Sequence, residues 1–568
     1  MTDIRRTILW VIFGFSLVLL WDKWQIHNGK QATFFPSPVA ASAPAATPSD
    51  VPTAVPTATV VGTASDVPGD HHNSVTSQAT GEQVTVTTDV LRMTFDSAGG
   101  SLVHAELLKL ADDHDPSKPF VLFDESKQRV YLAQTGLIGG GFPTHKTIMT
   151  AQPGVRELAD GQDGLQLRFE SPQLDGVKLI KTFTFRRGAY DIGVTHEVVN
   201  TGVVAVNAQL YLQLLRDGNA VGADSAFYTT FTGPAFYTDA GKYQKVEFGD
   251  IDKGKADFEK SSPNGYVAMV QHYFASAWLL GDSIQRDNFA RKVGDNLYAA
   301  GMITPVGTLQ PGETRMIEAK LFAGPQLEKT LESLTPGLEL VKDYGWLTIL
   351  AKPLYWLLDK IHGVLGNWGW SIVGLVLLLK IAFYWLNAKA YASMAKMKAI
   401  GPRIQDMRER LKNNPQQMQQ EMMRIYREEK VNPMGGCLPI MIQIPVFIAL
   451  YWVLLSSVEI RHAPWILWIT DLSAKDPLFI LPLLMTLSSL LQTALNPVPP
   501  DPMQAKMMWL MPMIFSVMFF FFPAGLVLYW LTNNILSIAQ QWMINTRMGV
   551  PPQFNLPNFK KTPTDASK

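Results

Sequence analysis

Cysteine is nearly absent: Cys437 stands alone, which excludes a disulfide framework and any zinc site built on paired thiolates. Charge is scarce too, at 17% of residues, against roughly 25% for a typical soluble domain. Basic and acidic residues balance at 49 each, so bulk positive charge cannot drive nucleic-acid binding. No phosphate-binding loop ends in Gly-Lys-Ser/Thr, and the glycines between 136 and 141 lack dinucleotide spacing. The ten histidines form no HExxH pattern, and no nucleophile elbow is present. These absences predict no enzyme, no cofactor and no metal site.

What the chain has is apolar length. Its 568 residues exceed one ordinary core, so two or more domains are expected. Between Pro433 and Asn545 only seven residues are charged, all lying between apolar runs, which is how a polytopic membrane protein distributes charge. Near the N-terminus, residues 7–21 are apolar and follow Arg5 and Arg6, and no small-x-small cleavage site comes next. Residues 1–24 therefore read as an uncleaved signal anchor. A linker over 25–80 holds seven prolines and few charges.

Residues 81–340 change character. Leu165-Gln-Leu-Arg-Phe169, Ile180-Lys-Thr-Phe-Thr-Phe185 and Leu210-Tyr-Leu-Gln-Leu214 alternate with a period of two, and Gly99-Gly100 marks a turn. Many short strands of this kind predict a large antiparallel β-sandwich, placed in the periplasm by the preceding anchor. Over 341–362, Trp346, Leu350, Leu354, Leu357 and Ile361 share one helical face, the pattern of an amphipathic helix lying in the membrane interface. A helix packed on the sandwich is the plainer reading.

Five further spans are expected within 363–546: 366–387, 436–456, 478–495 and two more inside 507–544. That last stretch would reach about 57 Å as one helix, so it must turn, at Pro523-Ala524-Gly525. Six spans follow in all. The 389–432 loop carries ten Lys/Arg against five Asp/Glu, which places it in the cytoplasm. Counting spans from a cytoplasmic N-terminus agrees, and the basic tail 547–568 also falls in the cytoplasm. The fifth span, 507–522, is only about 24 Å long and would thin the bilayer locally.

Lys380 is the one charge well inside a span, and no span supplies an acid to neutralise it. A central lysine costs roughly 2.5–3.5 kcal/mol on insertion scales. Snorkelling to an interface is one reading. However, Lys380 lies nine residues before Lys389, about 13 Å along a straight helix, and its Cα–Cβ bond tilts the wrong way. A wetted cavity holding the unpaired cation is the other reading. Gln443, Thr486, Ser488, Ser489, Gln492, Thr493, Ser516, Thr532, Asn533 and Asn534 are available to line it; helix–helix hydrogen bonding is their plainer use. In the cytoplasmic loop, Met397, Met407, Met418 and Met422 fall on the seam of a helical hairpin. Adaptable methionine suits varied apolar clients, although a hairpin core would use it equally. The hairpin's basic face suits anionic phospholipid or ribosomal RNA.

Three segments carry a resemblance. Glu429-Lys-Val-Asn-Pro-Met-Gly-Gly-Cys-Leu-Pro439 with Gln443-Ile-Pro445, Asp471-Leu-Ser-Ala-Lys-Asp-Pro477, and Phe522-Pro-Ala-Gly-Leu-Val-Leu-Tyr-Trp530 resemble the YidC/Oxa membrane-insertase family, and the anchor, linker and β domain resemble its Gram-negative branch. The resemblance implies an insertase and chaperone for newly made inner-membrane proteins, with a five-helix core and a supersandwich-like β domain of no enzymatic role. It implies a hydrophilic groove open to the cytoplasm and lipid, with its key positive residue at Lys380, where the family usually has arginine. It implies that the client slides along the third and fifth spans, and client contact is expected at Val376, Met441, Met513, Tyr529 and Trp530. The partners implied are nascent inner-membrane proteins, the Sec translocon with its accessory subunits, and the ribosome. The rival readings are a small-solute transporter, which predicts paired charges and inverted repeats, and a membrane-anchored carbohydrate-binding protein or enzyme acting through the β domain.

Overall fold

A computed structural model describes residues 81–113, 115–219, 230–411, 414–429, 438–496, 502–549 and 554. The expected anchor, linker and basic tail lie outside the described residues, apart from 547–549 and Phe554. The chain divides into two compact units, one ending at Lys342 and the other resuming at Asp343.

Among the described residues, the first unit is an antiparallel β-sandwich of two nine-stranded sheets. Alternation builds it. In the Gly164–Glu170 strand, Leu165, Leu167 and Phe169 turn inward while Gln166 stays in solvent. Strand Val177–Arg186 repeats the pattern beside it, with Leu167 opposite Phe183. The other sheet centres on strand Val206–Asp217, flanked by Val130–Ile138 and Leu297–Leu309, with Leu212 opposite both Thr135 and Met302. The two sheets meet through Phe95, whose ring lies 4.7 Å from that of Phe183 and 6.1 Å from that of Phe185. Trp278 Nε1 donates across the same interior to the Gln213 carbonyl at 3.1 Å. The expected turn at Gly99-Gly100 is present with φ of +67° and +59°. Glycine is required at 99, because a Cβ there would lie 2.3 Å from His145 Cα.

The second unit is helical. Helix Thr348–Leu365 ends at Gly366 in the left-handed region, and Asn367 then caps helix Trp368–Ala382 by accepting from Trp370 N at 3.1 Å. Helices Tyr384–Ala399, Leu438–Ser456, Ile480–Leu495, Pro502–Phe519 and Ala524–Arg547 follow, with the hairpin Gly401–Arg410 and Pro415–Glu428 between the first two. Their core gathers Leu358, Ile372, Leu375, Leu450, Val453 and Leu526. Among the described residues, no single helix is long and apolar enough to cross a membrane.

Two expectations change. The segment expected as one span over 366–387 is bent by 69° where Phe383 leaves helical geometry. This removes the straight axis on which the 13 Å argument for Lys380 rested. The turn expected at Pro523-Ala524-Gly525 comes earlier, at 520–522, and Ala524 already begins the next helix behind Pro523. The amphipathic helix packs its Ala351, Leu354, Tyr355 and Leu358 face into its own helical unit, with Leu350, Leu357 and Ile361 partly buried beside them. The Trp346 side chain lies outside the described residues.

Candidate functional site

The bend at Phe383 puts Lys380 in the last turn of helix Trp368–Ala382. Unsatisfied carbonyls there carry partial negative charge and favour a cation. The ammonium also donates to Ser537 Oγ on helix Ala524–Arg547 at 2.7 Å. Ser537 can accept because its own proton goes to the Asn533 carbonyl one turn back, at 2.7 Å.

Around this pair lies a cavity of about 40 Å³, lined by Val376, Leu379, Lys380, Phe383, Leu386, Asn387, Gln443, Val446, Tyr529 and Asn533. A water needs roughly 10–15 Å³ of such space, so the cavity has room for a few. No carboxylate lines it. A buried cation without a counter-ion is costly unless dipoles or water solvate it; the helix end and the Ser537 hydroxyl supply dipoles, and the cavity has room for water.

Of the ten polar residues expected to line a groove, the structure brings Gln443 and Asn533 to Lys380. Ser488 and Ser489 instead accept from Asn534 Nδ2, at 3.1 and 2.8 Å, and tie helix Ile480–Leu495 to the last helix. Thr486 and Ser516 bond their own helices, donating to the carbonyls of Pro482 at 2.8 Å and Pro512 at 2.6 Å. Gln492 and Thr532 are half-buried and are not among the cavity's lining residues. Among the residues expected to touch clients, Val376 and Tyr529 line the cavity. Met513 is exposed on helix Pro502–Phe519, whereas Trp530 packs between Phe447 and Phe519, with ring centres 4.7 and 5.3 Å away. The Met441 side chain lies outside the described residues. Met397, Met407, Met418 and Met422 join Ile404 and Ile425 in the hairpin's own core.

Three neighbours escaped the sequence reading: Ser537, Asn387 and Gln540. Asn387 Nδ2 donates to Gln540 Oε1 at 3.4 Å. The signal was available, because Asn533, Ser537 and Gln540-Gln541 recur at helical spacing and are all buried.

The β unit buries ionisable groups of its own. Lys181 Nζ donates to the carbonyls of Gly99 at 2.5 Å and Thr135 at 2.7 Å, and burial pushes its ammonium down to about 7. His196 meets Thr135 Oγ1 at 3.0 Å; burial first, and then the Lys181 charge, push its imidazole down to about 3. A cavity of about 670 Å³ opens against Arg315, Glu318, Lys320, Asp282 and Thr335. Among the described residues, no cluster of three or more His, Cys, Asp or Glu side chains is placed to hold a metal ion.

Two family models match the chain: the YidC periplasmic domain over residues 83–357 and the 60Kd inner membrane protein over residues 360–550. The membrane protein insertase YidC of Cupriavidus taiwanensis is 56% identical over 553 residues, covering 96% of this chain and 98% of the relative. That of Janthinobacterium sp. is 51% identical, covering 96% of this chain and all of the relative. A crystal structure of an active YidC insertase aligns with 81% of this chain and 94% of its own, at 19% identity and a TM-score of 0.36. A galactose mutarotase related enzyme from Lactobacillus acidophilus aligns with 43% of this chain and 97% of its own, at 8% identity and a TM-score of 0.29.

Proposed function

The chain belongs to the YidC family of membrane protein insertases, and from that premise we propose how its own residues carry out insertion. It is a bacterial inner-membrane protein with a periplasmic β domain, it inserts inner-membrane proteins, and it is not an enzyme.

The groove is the space around Lys380. A client's polar segment enters from the cytoplasm, its acidic groups are drawn to the Lys380 ammonium, and its apolar segment leaves sideways into lipid. Hydrophobic burial drives that exit. The membrane potential adds about 2.3 kcal/mol per 100 mV for each negative charge moved outward. Gln443, Asn533, Asn387 and Ser537 hydrate and position the cation, while Val376 and Tyr529 meet the client. The observation that carries this reading is an ammonium donating to Ser537 in a cavity that no carboxylate lines.

The topology belongs to the same proposal. Six spans start from a cytoplasmic N-terminus, and a five-helix core over 363–546 follows an interfacial helix at 341–362. The hairpin at 389–432 and the tail at 547–568 are cytoplasmic, and the anchor 1–24 and linker 25–80 tether the β domain, 81–340. The basic hairpin meets the ribosome and anionic phospholipid, and the Sec translocon with its accessory subunits is the partner for larger clients. Depletion of the chain followed by protease mapping of newly made short membrane proteins tests the whole. Lys380→Arg should restore client protection and Lys380→Glu should not; restoration by both would remove the electrostatic role.

A further inference from the structure

The segment joining helix Leu438–Ser456 to helix Ile480–Leu495 is fixed from within. Trp465 N donates to the Ile469 carbonyl at 2.9 Å, Ile469 N to Ile466 at 3.1 Å, and Leu472 N to Ala463 at 3.0 Å. Neighbouring helices hold it as well. Asn367 Nδ2 donates to the carbonyls of Pro464 and Trp465 at 3.2 and 3.3 Å, and Gly525 N donates to Leu472 at 2.8 Å. The Trp465 indole packs edge-on to Trp370 with ring centres 5.6 Å apart. It fits because residue 369 is glycine; a Cβ there would lie 2.2 Å from its ring.

This rigid base holds an apolar tip outward. Pro464-Trp-Ile-Leu-Trp-Ile-Thr470 contains no charge, and Leu467 is 81% exposed at φ +52°, a conformation that a branched side chain rarely adopts. Beyond it, Leu478 and Phe479 are also exposed, and Phe479 has φ +55°. Of the charges nearby, Asp471 and Asp476 are turned to the loop itself, and Lys475 is exposed with its ammonium 5.5 Å from the centre of the Phe521 ring. Asp476 accepts from Trp468 Nε1 at 3.1 Å, Leu478 N at 3.0 Å and Leu481 N at 2.7 Å. Asp471 accepts from His462 N at 3.1 Å and Ser473 N at 2.8 Å.

We propose that this tip is a lipid anchor, with Ile466, Leu467, Leu478 and Phe479 inserted among the acyl chains at the membrane face opposite the hairpin. Three observations favour lipid over a protein partner. The tip carries no charged side chain, and the unpartnered Trp465 Nε1 is buried rather than offered to a partner. It continues into the exposed face of helix Ile480–Leu495, at Leu483, Leu484, Leu487 and Leu491, so one apolar surface runs from helix to loop. Tryptophan at 465 and 468 suits the interface between headgroup and chain. The anchor fixes how deep the helical unit sits, and therefore the depth of the cavity around Lys380. The leaflet assigned to it rests on the topology proposed above.

The test uses the full chain with Cys437→Ser, reconstituted into phosphatidylethanolamine–phosphatidylglycerol vesicles. Leu467→Cys carries an environment-sensitive nitrobenzoxadiazole label, Ile466→Cys provides a second site, and Val203→Cys in the β unit, 91% exposed, gives the aqueous reference. Lipids spin-labelled high on the acyl chain should quench both tip labels at least twofold more than the reference, and iodide should quench them at least twofold less. Iodide quenching equal to the reference overturns the anchor. Protection from both quenchers also overturns it, because a protein surface would then cover the tip. Client insertion is measured in the same vesicles. Lost lipid contact with normal insertion sinks the anchor alone, whereas retained contact without insertion by the unlabelled chain sinks the insertase reading.

Discussion

Lys380 and Ser537 lie 157 positions apart in the chain, yet the lysine ammonium donates to the serine hydroxyl at 2.7 Å. The hydroxyl is oriented by its own bond to the Asn533 carbonyl, so the last helix presents a lone pair to the cation at the end of another.

That relationship makes Ser537 a positioning residue. Ser537→Ala removes one acceptor but leaves the cavity's water to replace it, so it should slow insertion by severalfold and less than Lys380→Ala does. A hydrogen bond to a charged group is worth about 1.5–3 kcal/mol when nothing replaces it, which caps the loss. Ser537→Thr, which keeps the hydroxyl, should recover most of the rate in a reconstituted insertion assay. An alanine variant as slow as Lys380→Ala would give Ser537 a larger part than positioning.

Asn534 has a structural role. Its amide bridges Ser488 and Ser489 across two helices, and polar bridges between membrane helices average about 0.6 kcal/mol, with values up to about 1.7. Asn534→Leu should lower resistance to unfolding by that order, read by steric trapping in bicelles, while the dependence of insertion on client charge is unchanged.

Asp476 caps helix Ile480–Leu495 from outside, accepting from Leu481 N and Leu478 N as well as the Trp468 indole. Asp476→Ala should cost about 1–2 kcal/mol, at the upper end for a lost cap, and should red-shift tryptophan emission as the Trp468 indole is released. An unchanged spectrum would mean that the carboxylate does not hold that ring.

The β unit should show a pH dependence with a defined sign. Lys181 titrates near 7 when folded and near 10.5 when free, so between those values the unfolded chain binds a proton that the folded chain has released. Stability therefore rises with pH across that window, by at most ~1.4 kcal/mol per pH unit. His196 acts with the same sign at lower pH, between about 3 and 6.5, so stability falls as acid is added. Hydrogen exchange in strand Val177–Arg186 of the intact protein, corrected for intrinsic rates, should show the alkaline rise, and Lys181→Met should flatten it.

Much of this architecture was legible in the chain. Leu165, Leu167 and Phe169 announced their strand by alternation, and the lone Lys380 announced a site, because a cation among apolar residues needs an explanation. Ser537 was not singled out, because one serine in an apolar helix has the same composition whether it bonds its own backbone, as Ser516 does, or receives a lysine. The bend at Phe383 was invisible too: Leu379-Lys-Ile-Ala-Phe-Tyr384 holds neither proline nor glycine, the usual local marks of a kink. Lys181 shares parity with Phe183 and Phe185, so alternation had already put it on the core face. The methionine seam left two uses open, and packing places the four residues in the hairpin core.

The most direct measurement reverses charge on both sides of the encounter. Purified chain in energised vesicles would receive two otherwise identical clients, one with an acidic tail to be moved across and one with that tail made basic. Wild type and Lys380→Arg should favour the acidic client, and Lys380→Glu should lose about tenfold on it while recovering on the basic one. Equal insertion of both clients by Lys380→Glu at the wild-type rate would contradict a groove whose cation draws the client in.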